Sequence, residues 1–357
     1  MATGISVGLT GGRIVVRPRV ETAVGRTLRA GSAKTDDMRK ARIHRPDQGS
    51  LILETAWRYY HDGQNQNDIA ADLDLSRGTV ANYLNEARAR DLVRISLKSE
   101  AFSETALSEA LCKKFGLEDA FVVPAHGALT ASDLLSRVAR AAGDWLPGIL
   151  KDGDNLGVSW GETVYEVSVA APTHKLENVT IVQLVGTLTT PLGFAAETCS
   201  SNLAQRFGAR CINLHVPLVV STADLADRLR AEPIIARQLD ATRSCNKTLF
   251  ATGICTPDSH VVKVGVVSPE ELQSYLAKGA AAVICGQFID TDGRIIESEL
   301  RQRMLCVDLN DMRNREMGIL VSSGESRAVA IRAAIRGGFA THLVTCARTA
   351  RALLDLG

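Results

Sequence analysis

The sequence lacks the features that mark a disulfide-bonded protein or a metalloprotein. None of its eight cysteines forms a Cys-x-x-Cys pair, and several lie within apolar runs, as Cys285 does after Ala282-Val283-Ile284. We therefore expect small buried cysteines in a reducing cytosol. The seven histidines are dispersed without the spacing of metal ligands. We expect no metal and no cofactor.

The sequence also lacks an excess of charge and a long apolar run. Lys and Arg (41) nearly balance Asp and Glu (40), so any contact with nucleic acid must be local rather than a property of the whole surface. No run reaches the roughly 18 apolar residues of a membrane span, and the start has no secretory signal pattern. These absences predict a cytoplasmic protein with no membrane partner.

Three regions follow one another along the 357 residues. Residues 1–45 carry many arginines and little apolar periodicity, which predicts a basic flexible arm that either touches DNA phosphates or is functionally silent. Residues 46–100 show helical spacing and then a strand-like alternation over residues 92–97, as in a winged helix-turn-helix domain. Residues 101–357 form a third region that we expect to bind an effector and to mediate oligomerisation.

The third region alternates between apolar strands and amphipathic helices. Strand candidates are 120–123, 155–158, 179–184, 210–213, 248–252, 281–285, 317–321 and 342–345. Helices are predicted at 106–115, 132–146, 193–207, 269–278, 325–336 and 347–355. This alternation predicts an α/β fold with a doubly wound parallel sheet and helices on both faces. Ligands of such sheets bind at the carboxyl ends of the strands.

Residues 66–90 have the pattern of a helix-turn-helix. Gln66 opens a short helix, and Ser76 is a suitable N-cap for a second one. The start of a second helix is the part that meets base edges in the major groove. The DNA-contacting candidates are Gln66, Ser76, Arg77, Thr79, Asn82, Tyr83 and Arg88. Arginine pairs with guanine and asparagine with adenine, whereas Arg88 is placed for a phosphate. The alternative is an ordinary helical hairpin in a core.

Several segments of this region resemble the DNA-binding part of the SorC family of sugar-responsive transcriptional regulators. They are Tyr59-Tyr60, Gln66-Asn67-Asp68-Ile69-Ala70, Leu75-Ser76-Arg77-Gly78-Thr79-Val80 and Ala87-Arg88. The resemblance continues to the C-terminus through Gly157–Thr163, Gln183–Thr187, Gly279–Gly286, Phe288–Gly293 and Ser322–Arg327. It implies a Rossmannoid, sugar-isomerase-like domain that binds a sugar, polyol or sugar phosphate. It also implies homo-oligomers, dimers or tetramers, on double-stranded operator DNA.

The same resemblance implies the effector-binding residues. They are Ser159, Gly161, Thr163, Gly186, Thr187, Gly253, Asp290, Ser323, Gly324 and Arg327. The turn at 157–163 follows a strand and opens a helix, and such a helix N-terminus favours a phosphate, although a plain tight turn has the same pattern. Arg327 stands where the family often has Lys; its alternatives are a helix cap or a pair with Glu325. Val283 replaces a usual Asp, which indicates an altered effector.

A second hypothesis is an enzyme. Asp258-Ser259-His260 has the Asp-x-His spacing that sugar-phosphate isomerases and deaminases use for proton transfer, here with a fused DNA-binding domain. One Asp and one His two residues apart is also a common accident of a surface loop. The missing carboxylate at Val283 counts against catalysis. The sequence therefore predicts a regulator without catalytic residues, a repressor of a carbohydrate or polyol catabolic operon.

Overall fold

A computed structural model describes residues 47–93, 103–188 and 195–356 of the chain. They belong to two compact units that divide after Arg94, and each unit is described by itself. The predicted arm (1–45) and residues 94–97 of the predicted wing strand lie outside the described residues. Within the described ranges, none of the helices combines the length and the apolar composition that crossing a bilayer requires.

Over residues 47–93, the first unit contains three helices, each opened by a side-chain cap. They are α1 (Gln48–Tyr60), α2 (Gln66–Asp72) and α3 (Arg77–Ala89). The side chains of Asp47, Asn65 and Ser76 accept hydrogen bonds from backbone N–H groups of the first turn in α1, α2 and α3 respectively. These bonds satisfy donors that a helix start leaves unpaired. The Ser76 cap confirms the prediction for the second helix of the motif.

The three helices pack around a small apolar core. Its fully buried members are Ile52, Ile69, Val80 and Ala87, with Ala56, Ala70 and Leu84 almost as buried. The chain turns between α2 and α3 at Asp74, whose positive φ of 54° is a conformation that Asp adopts more readily than most residues. The compact turn sets the two helices of the motif against each other.

The described residues of the second unit form nine strands. They are β1 (Asp119–Val123), β2 (Asn155–Val158), β3 (Thr180–Gln183), β4 (Arg210–Ile212), β5 (Lys247–Phe250), β6 (Ala280–Ile284), β7 (Gln287–Asp290), β8 (Met317–Val321) and β9 (His342–Cys346). Its helices continue the numbering. They are α4 (Thr105–Phe115), α5 (Ala131–Ile149), α6 (Glu162–Ala170), α7 (Ala196–Phe207), α8 (Ala223–Ala231), α9 (Pro233–Arg243), α10 (His260–Lys263), α11 (Pro269–Ala277), α12 (Glu299–Arg303), α13 (Leu309–Met312), α14 (Ala328–Arg336) and α15 (Ala347–Asp355).

Seven strands form one sheet in the order β1-β9-β8-β5-β2-β3-β4, with every neighbouring pair parallel. From β2 the chain moves outward through β3 to β4, and it then returns to the other side of β2 to form β5. The strand order therefore reverses between β2 and β5. The carboxyl ends of these two strands flank a crevice, which is where ligands of doubly wound sheets bind.

Helices cover both faces of the sheet. Connections between parallel strands are right-handed, so the direction of each connection decides the face on which its helix lies. The connections through α5, α6 and α7 run toward β4, which places these helices on one face. The connection from β8 to β9 runs the other way, which places α14 on the opposite face. The contacts agree: α5, α6 and α7 pack in a row, while α4, α14 and α15 pack together. The predicted doubly wound α/β fold is confirmed.

One predicted strand does not belong to the parallel sheet. Residues 281–284 fall in β6, which pairs antiparallel with β7 in a separate two-stranded hairpin, and Cys285 lies in the hairpin turn. The two residues of its turn, Cys285 and Gly286, both have positive φ (51° and 80°). A two-residue turn of this kind reverses the chain directly after β6 and pairs it antiparallel with β7. There is then no crossover helix after β6, as a strand of the parallel sheet would need.

Candidate functional site

A cleft of about 510 Å³ opens at the carboxyl ends of β2 and β5. Its walls come from the turn after β2, the segment 251–254 after β5, the stretch 258–263 around α10, the β6–β7 turn and Arg327. The backbone N–H of Ser159 donates to the carbonyl of Leu249 at 3.0 Å, which keeps the two strand ends together. The cleft therefore lies at the reversal point of the strand order.

The turn after β2 presents a helix N-terminus to the cleft. Gly161 precedes α6 with a φ of 105°, which favours glycine, and it provides no side-chain cap. The first N–H groups of α6 thus lack the usual capping oxygen, and the helix dipole adds a partial positive charge there. Ser159 and Thr163 are buried beside this turn. Glu162 also lines the cleft and brings a negative charge to it.

Two cations line the cleft. Arg327 is half-buried and donates from Nη1 to the carbonyl oxygen of Thr252 at 2.7 Å. Within the described chain it forms no ion pair with Glu325, so that alternative for its role is not what the structure shows. Lys263 is exposed and also lines the cleft. Burial lowers the pKa of Arg327, and the Glu162 carboxylate opposes that shift.

An aromatic pair and a carbon wall complete the cleft. The rings of Trp160 and His260 lie 4.8 Å apart at a tilted angle. Burial lowers the pKa of His260, so its ring is mostly neutral at pH 7. The backbones of Gly253 and Val283 exchange two hydrogen bonds (2.9 and 3.0 Å). This pairing leaves mainly carbon from Val283 facing the cleft.

Half of the predicted effector residues lie at this cleft. They are Ser159, Gly161, Thr163, Gly253 and Arg327. Sequence reasoning missed Thr252, Lys263 and Cys285 as cleft residues. Thr252 and Cys285 end two predicted strands, but the pattern does not show that these strand ends meet at one cleft, and Lys263 lies in a segment without a motif. Lys263 belongs to the four-residue helix α10, and Cys285 joins the cleft only through the hairpin turn.

The other five predicted effector residues lie outside the cleft lining. The backbone N–H groups of Gly186 and Thr187 donate to the carbonyl oxygens of Leu305 and Val216 respectively. A Cβ at Gly186 would lie 2.7 Å from the Val216 carbonyl oxygen. The glycine is explained by this close backbone approach. Asp290 closes a turn by accepting from the N–H groups of Asp292 and Arg294.

Ser323 and Gly324 form the turn before α14. The Gly324 N–H donates to Thr349 Oγ1 at 2.8 Å, so this donor is used within the protein. Gly324 has a φ of 112°, and the turn it allows carries the chain into the short 3-10 helix Glu325–Arg327. These two residues therefore position Arg327 and do not themselves line the cleft.

The enzyme hypothesis placed an acid–base pair at Asp258 and His260, and both residues do line the cleft. Hydrogen bonding to Thr256 lowers the pKa of Asp258, which leaves it ionised, and burial lowers the pKa of His260. The thiol of Cys285 is inert as a nucleophile, because burial raises its pKa to about 12. Within the described residues, no group of three His, Cys, Asp or Glu side chains could hold a metal ion.

The helix-turn-helix unit leaves some predicted DNA contacts exposed and uses others internally. Arg77 and Asn82 are exposed on α3. Ser76 and Thr79 are joined by the cap, with their hydroxyls 2.8 Å apart. Tyr83 is half-buried against the core.

The outer two candidates are also placed on the surface of this unit. Arg88 is exposed and donates to Asn85 Oδ1 at 2.8 Å. Gln66 is half-exposed at the start of α2.

Comparison with known proteins identifies the family to which the chain belongs. Residues 99–355 match the model of the family described as "Putative sugar-binding domain". The transcriptional regulator YjhU of Escherichia coli is 34% identical over 85% of this chain and 94% of its own length. The chain belongs to the SorC family of sugar-binding transcriptional regulators.

Two further comparisons cover most of this SorC-family chain. The deoxyribonucleoside regulator of Bacillus subtilis is 30% identical over 87% of this chain and 98% of its own length. The crystal structure of the full-length sorbitol operon regulator SorC of Klebsiella pneumoniae superposes with a TM-score of 0.65 at 23% identity, covering 86% of this chain and 99% of that one. These relatives are named as regulators, which confirms the prediction of a regulator over that of an enzyme.

Proposed function

We propose that this SorC-family regulator represses a carbohydrate or polyol catabolic operon in the cytoplasm, and that a sugar, polyol or sugar phosphate in the cleft relieves the repression. The cleft carries this proposal, because its position at the strand reversal and its content of a helix N-terminus with two cations suit a small anionic ligand. The Bacillus relative is named for deoxyribonucleosides, which contain a sugar, and the Klebsiella relative for the operon of sorbitol, which is a polyol.

The DNA side of the proposal rests on residues 46–100. Arg77 and Asn82 are exposed at the capped end of α3, where they reach base edges if α3 enters the major groove. Arg88 reaches phosphates, and Gln66, Ser76, Thr79 and Tyr83 support the helix start and the backbone contacts. The arm at 1–45 is proposed to add arginine contacts to the DNA backbone.

The effector side of the proposal rests on residues 101–357, which also form the homo-oligomer. Ser159, Gly161 and Thr163 offer donors to a phosphate at the start of α6, and Arg327 offers a charged fork beside them. Gly253 lets the backbone approach the ligand. Gly186, Thr187, Asp290, Ser323 and Gly324 are proposed to act by shaping the loops around the cleft.

Calorimetric titration with matched pairs tests the charge of the effector. Free polyols and their phosphate esters are titrated into the wild type and into Arg327→Ala. We expect the phosphates to bind tighter, and we expect Arg327→Ala to lose about 10- to 100-fold of that affinity, as a charge-assisted hydrogen bond predicts. The affinity for the free polyol should change little.

Arg336→Ala is the matched control, because Arg336 is an exposed arginine at the end of α14, the helix that follows Arg327, and it lies outside the cleft. It should bind every ligand as the wild type does. If the free polyol and its phosphate bind equally, and Arg327→Ala changes neither, the phosphate site is disproved.

A further inference from the structure

Two buried hydroxyl groups at the cleft have no hydrogen-bond partner among the described residues. They are Thr252 Oγ1 and Ser259 Oγ. Thr252 is only 1% exposed and Ser259 only 5%, and both residues line the cleft. A buried polar atom without a partner costs free energy, and native proteins rarely leave one so. Because these two hydroxyls also line the cleft, a ligand bound there can complete their hydrogen bonding.

The fold does not explain Ser259 by a structural role. It occupies the N-cap position of α10, yet its side chain makes no capping bond. By contrast, Ser76 and Ser268 cap α3 and α11 with their hydroxyls. A serine at a helix start that caps nothing has its hydroxyl available for something else.

Thr252 stands beside the charged end of the cleft. Its carbonyl oxygen holds the Arg327 guanidinium, while its hydroxyl is separate and unpaired among described residues. On the other side, the paired backbones of Gly253 and Val283 present carbon. The cleft therefore has a charged part, an apolar wall and a neutral polar part.

We infer that Thr252 and Ser259 are effector-binding residues that hydrogen-bond the neutral hydroxyl groups of a sugar or polyol, next to the anion site at Arg327. A hydroxyl both donates and accepts, so it complements another hydroxyl as readily as it does an anion. The inference rests on the proposed function, since it assigns the sugar part of the same effector.

The chain provides matched controls for both positions. Thr248 Oγ1 and Ser322 Oγ are likewise buried and unpaired among described residues, and Thr248 lies on strand β5, just before the segment that carries Thr252. Neither residue lines the cleft. Thr252→Val and Ser259→Ala are therefore compared with Thr248→Val and Ser322→Ala, which remove the same chemical group elsewhere.

The first measurement needs no ligand. Thermal unfolding of the four variants should give melting temperatures equal to or above that of the wild type, because each change removes an unsatisfied buried hydroxyl and leaves no partner behind. If Thr252→Val and Ser259→Ala melt clearly below Thr248→Val and Ser322→Ala, their hydroxyls are paired within the protein, and the inference is wrong.

The second measurement titrates terminal phosphate esters of ribose, fructose and glucitol, with inorganic phosphate as the sugar-free probe. For the ester that the wild type binds best, Thr252→Val and Ser259→Ala should each lose about 5- to 30-fold in affinity, as one lost hydrogen bond predicts. Inorganic phosphate and the two control variants should be unaffected. Unchanged ester affinity, or an equal loss for inorganic phosphate, overturns the inference.

The two proposals fail in different ways. If no ester binds the wild type, the proposed response to a sugar phosphate is contradicted, and the ligand-free melting temperatures still decide whether the hydroxyls are unpaired. If esters bind but the cleft variants bind them equally well, the regulator stands and only the assignment of Thr252 and Ser259 falls.

Discussion

Lys247 and Asp154 form a buried ion pair at the amino end of the sheet, opposite the cleft. Lys247 is fully buried at the start of β5, and its Nζ contacts Asp154 Oδ2 and the carbonyl of Ile149. Burial raises the pKa of Asp154, but hydrogen bonds from Lys247 and Asn246 outweigh it, and the pKa lies below its usual value. The pair thus depends on complete hydrogen bonding.

Lys247→Met should destabilise the protein strongly. The change leaves the Asp154 carboxylate buried without its cation, a loss of about 3–5 kcal/mol in the free energy of unfolding. Urea unfolding of the second unit measures it. Arg228→Met, which breaks the exposed pair with Asp224 on α8, is the control and should cost less than about 1 kcal/mol. Equal losses for both variants would contradict the buried-pair account.

His342 predicts how stability changes with pH. It is buried at the start of β9 against Trp145, and burial lowers its pKa below the value in the unfolded chain. The folded state therefore binds a proton less readily than the unfolded state. This contribution to stability is complete above the unfolded pKa and is lost as the pH falls from there toward the folded pKa.

The pH dependence is checked with His342→Leu, which cannot take up a proton. The unfolding free energy of the wild type should fall between pH 7 and pH 5, the range on the acid side of the usual histidine pKa of about 6.5. The variant should show a smaller fall over the same range. Parallel curves for the two proteins would show that His342 contributes nothing to this dependence.

At the level of elements, periodicity predicted eight of the nine described strands of the second unit and half of its twelve described helices, but it did not predict which strands pair. The apolar run at 281–285 has the same composition as a strand of the parallel sheet. Two positive φ angles at Cys285 and Gly286 turn it into a hairpin, and a cysteine at such a position gives no signal in the sequence. Hydrophobic periodicity therefore does not predict the backbone conformation of single turn residues, which decides the partner of this strand.

Gly186 tests whether a predicted site residue acts through packing. Gly186→Ala places a Cβ within 2.7–2.8 Å of backbone atoms of Val216, Pro217 and Leu218, so we expect a loss of about 1–3 kcal/mol in stability. Gly148→Ala on α5, where a Cβ meets nothing within 4 Å, should leave stability unchanged or raise it by up to about 1 kcal/mol. If Gly186→Ala is as stable as Gly148→Ala yet loses effector affinity, its role is ligand contact.

The recognition helix is tested with a single side chain. Arg77→Ala should weaken binding to the specific operator by about 1–3 kcal/mol and binding to random DNA much less, because a base contact carries sequence information. Fluorescence anisotropy with the two DNA duplexes measures both. Arg90→Ala, which removes an exposed arginine paired with Glu86 just beyond α3, is the control. Equal losses on both duplexes would assign Arg77 to a phosphate.

For the whole molecule, the sequence motifs predicted the family and the fold class, and half of the predicted effector residues lie at one cleft. The other five lie outside the cleft lining. Gly186 and Asp290 have the residue types of ligand loops, and in the structure they allow a close backbone approach and a turn, which the sequence pattern does not distinguish from ligand contact. Thr252 and Lys263 could be assigned to the cleft only once the topology was known, because the topology brings the ends of β2 and β5 together.

The proposal for the whole molecule couples two units through one ligand. A regulator of this kind needs two states that differ in effector affinity and in operator affinity, and a coupling of about 1–3 kcal/mol changes operator binding roughly 5- to 150-fold. The same factor must appear in the effector affinity when operator DNA is bound, because linkage is reciprocal.

Operator binding by the intact protein, measured by anisotropy with and without the best-binding sugar phosphate, tests this coupling. We expect the effector to weaken operator binding of the wild type within that range, and to have little effect on Arg327→Ala at the same concentration, while Arg336→Ala responds as the wild type does. An operator affinity that is the same with and without a ligand shown to occupy the cleft would contradict the account.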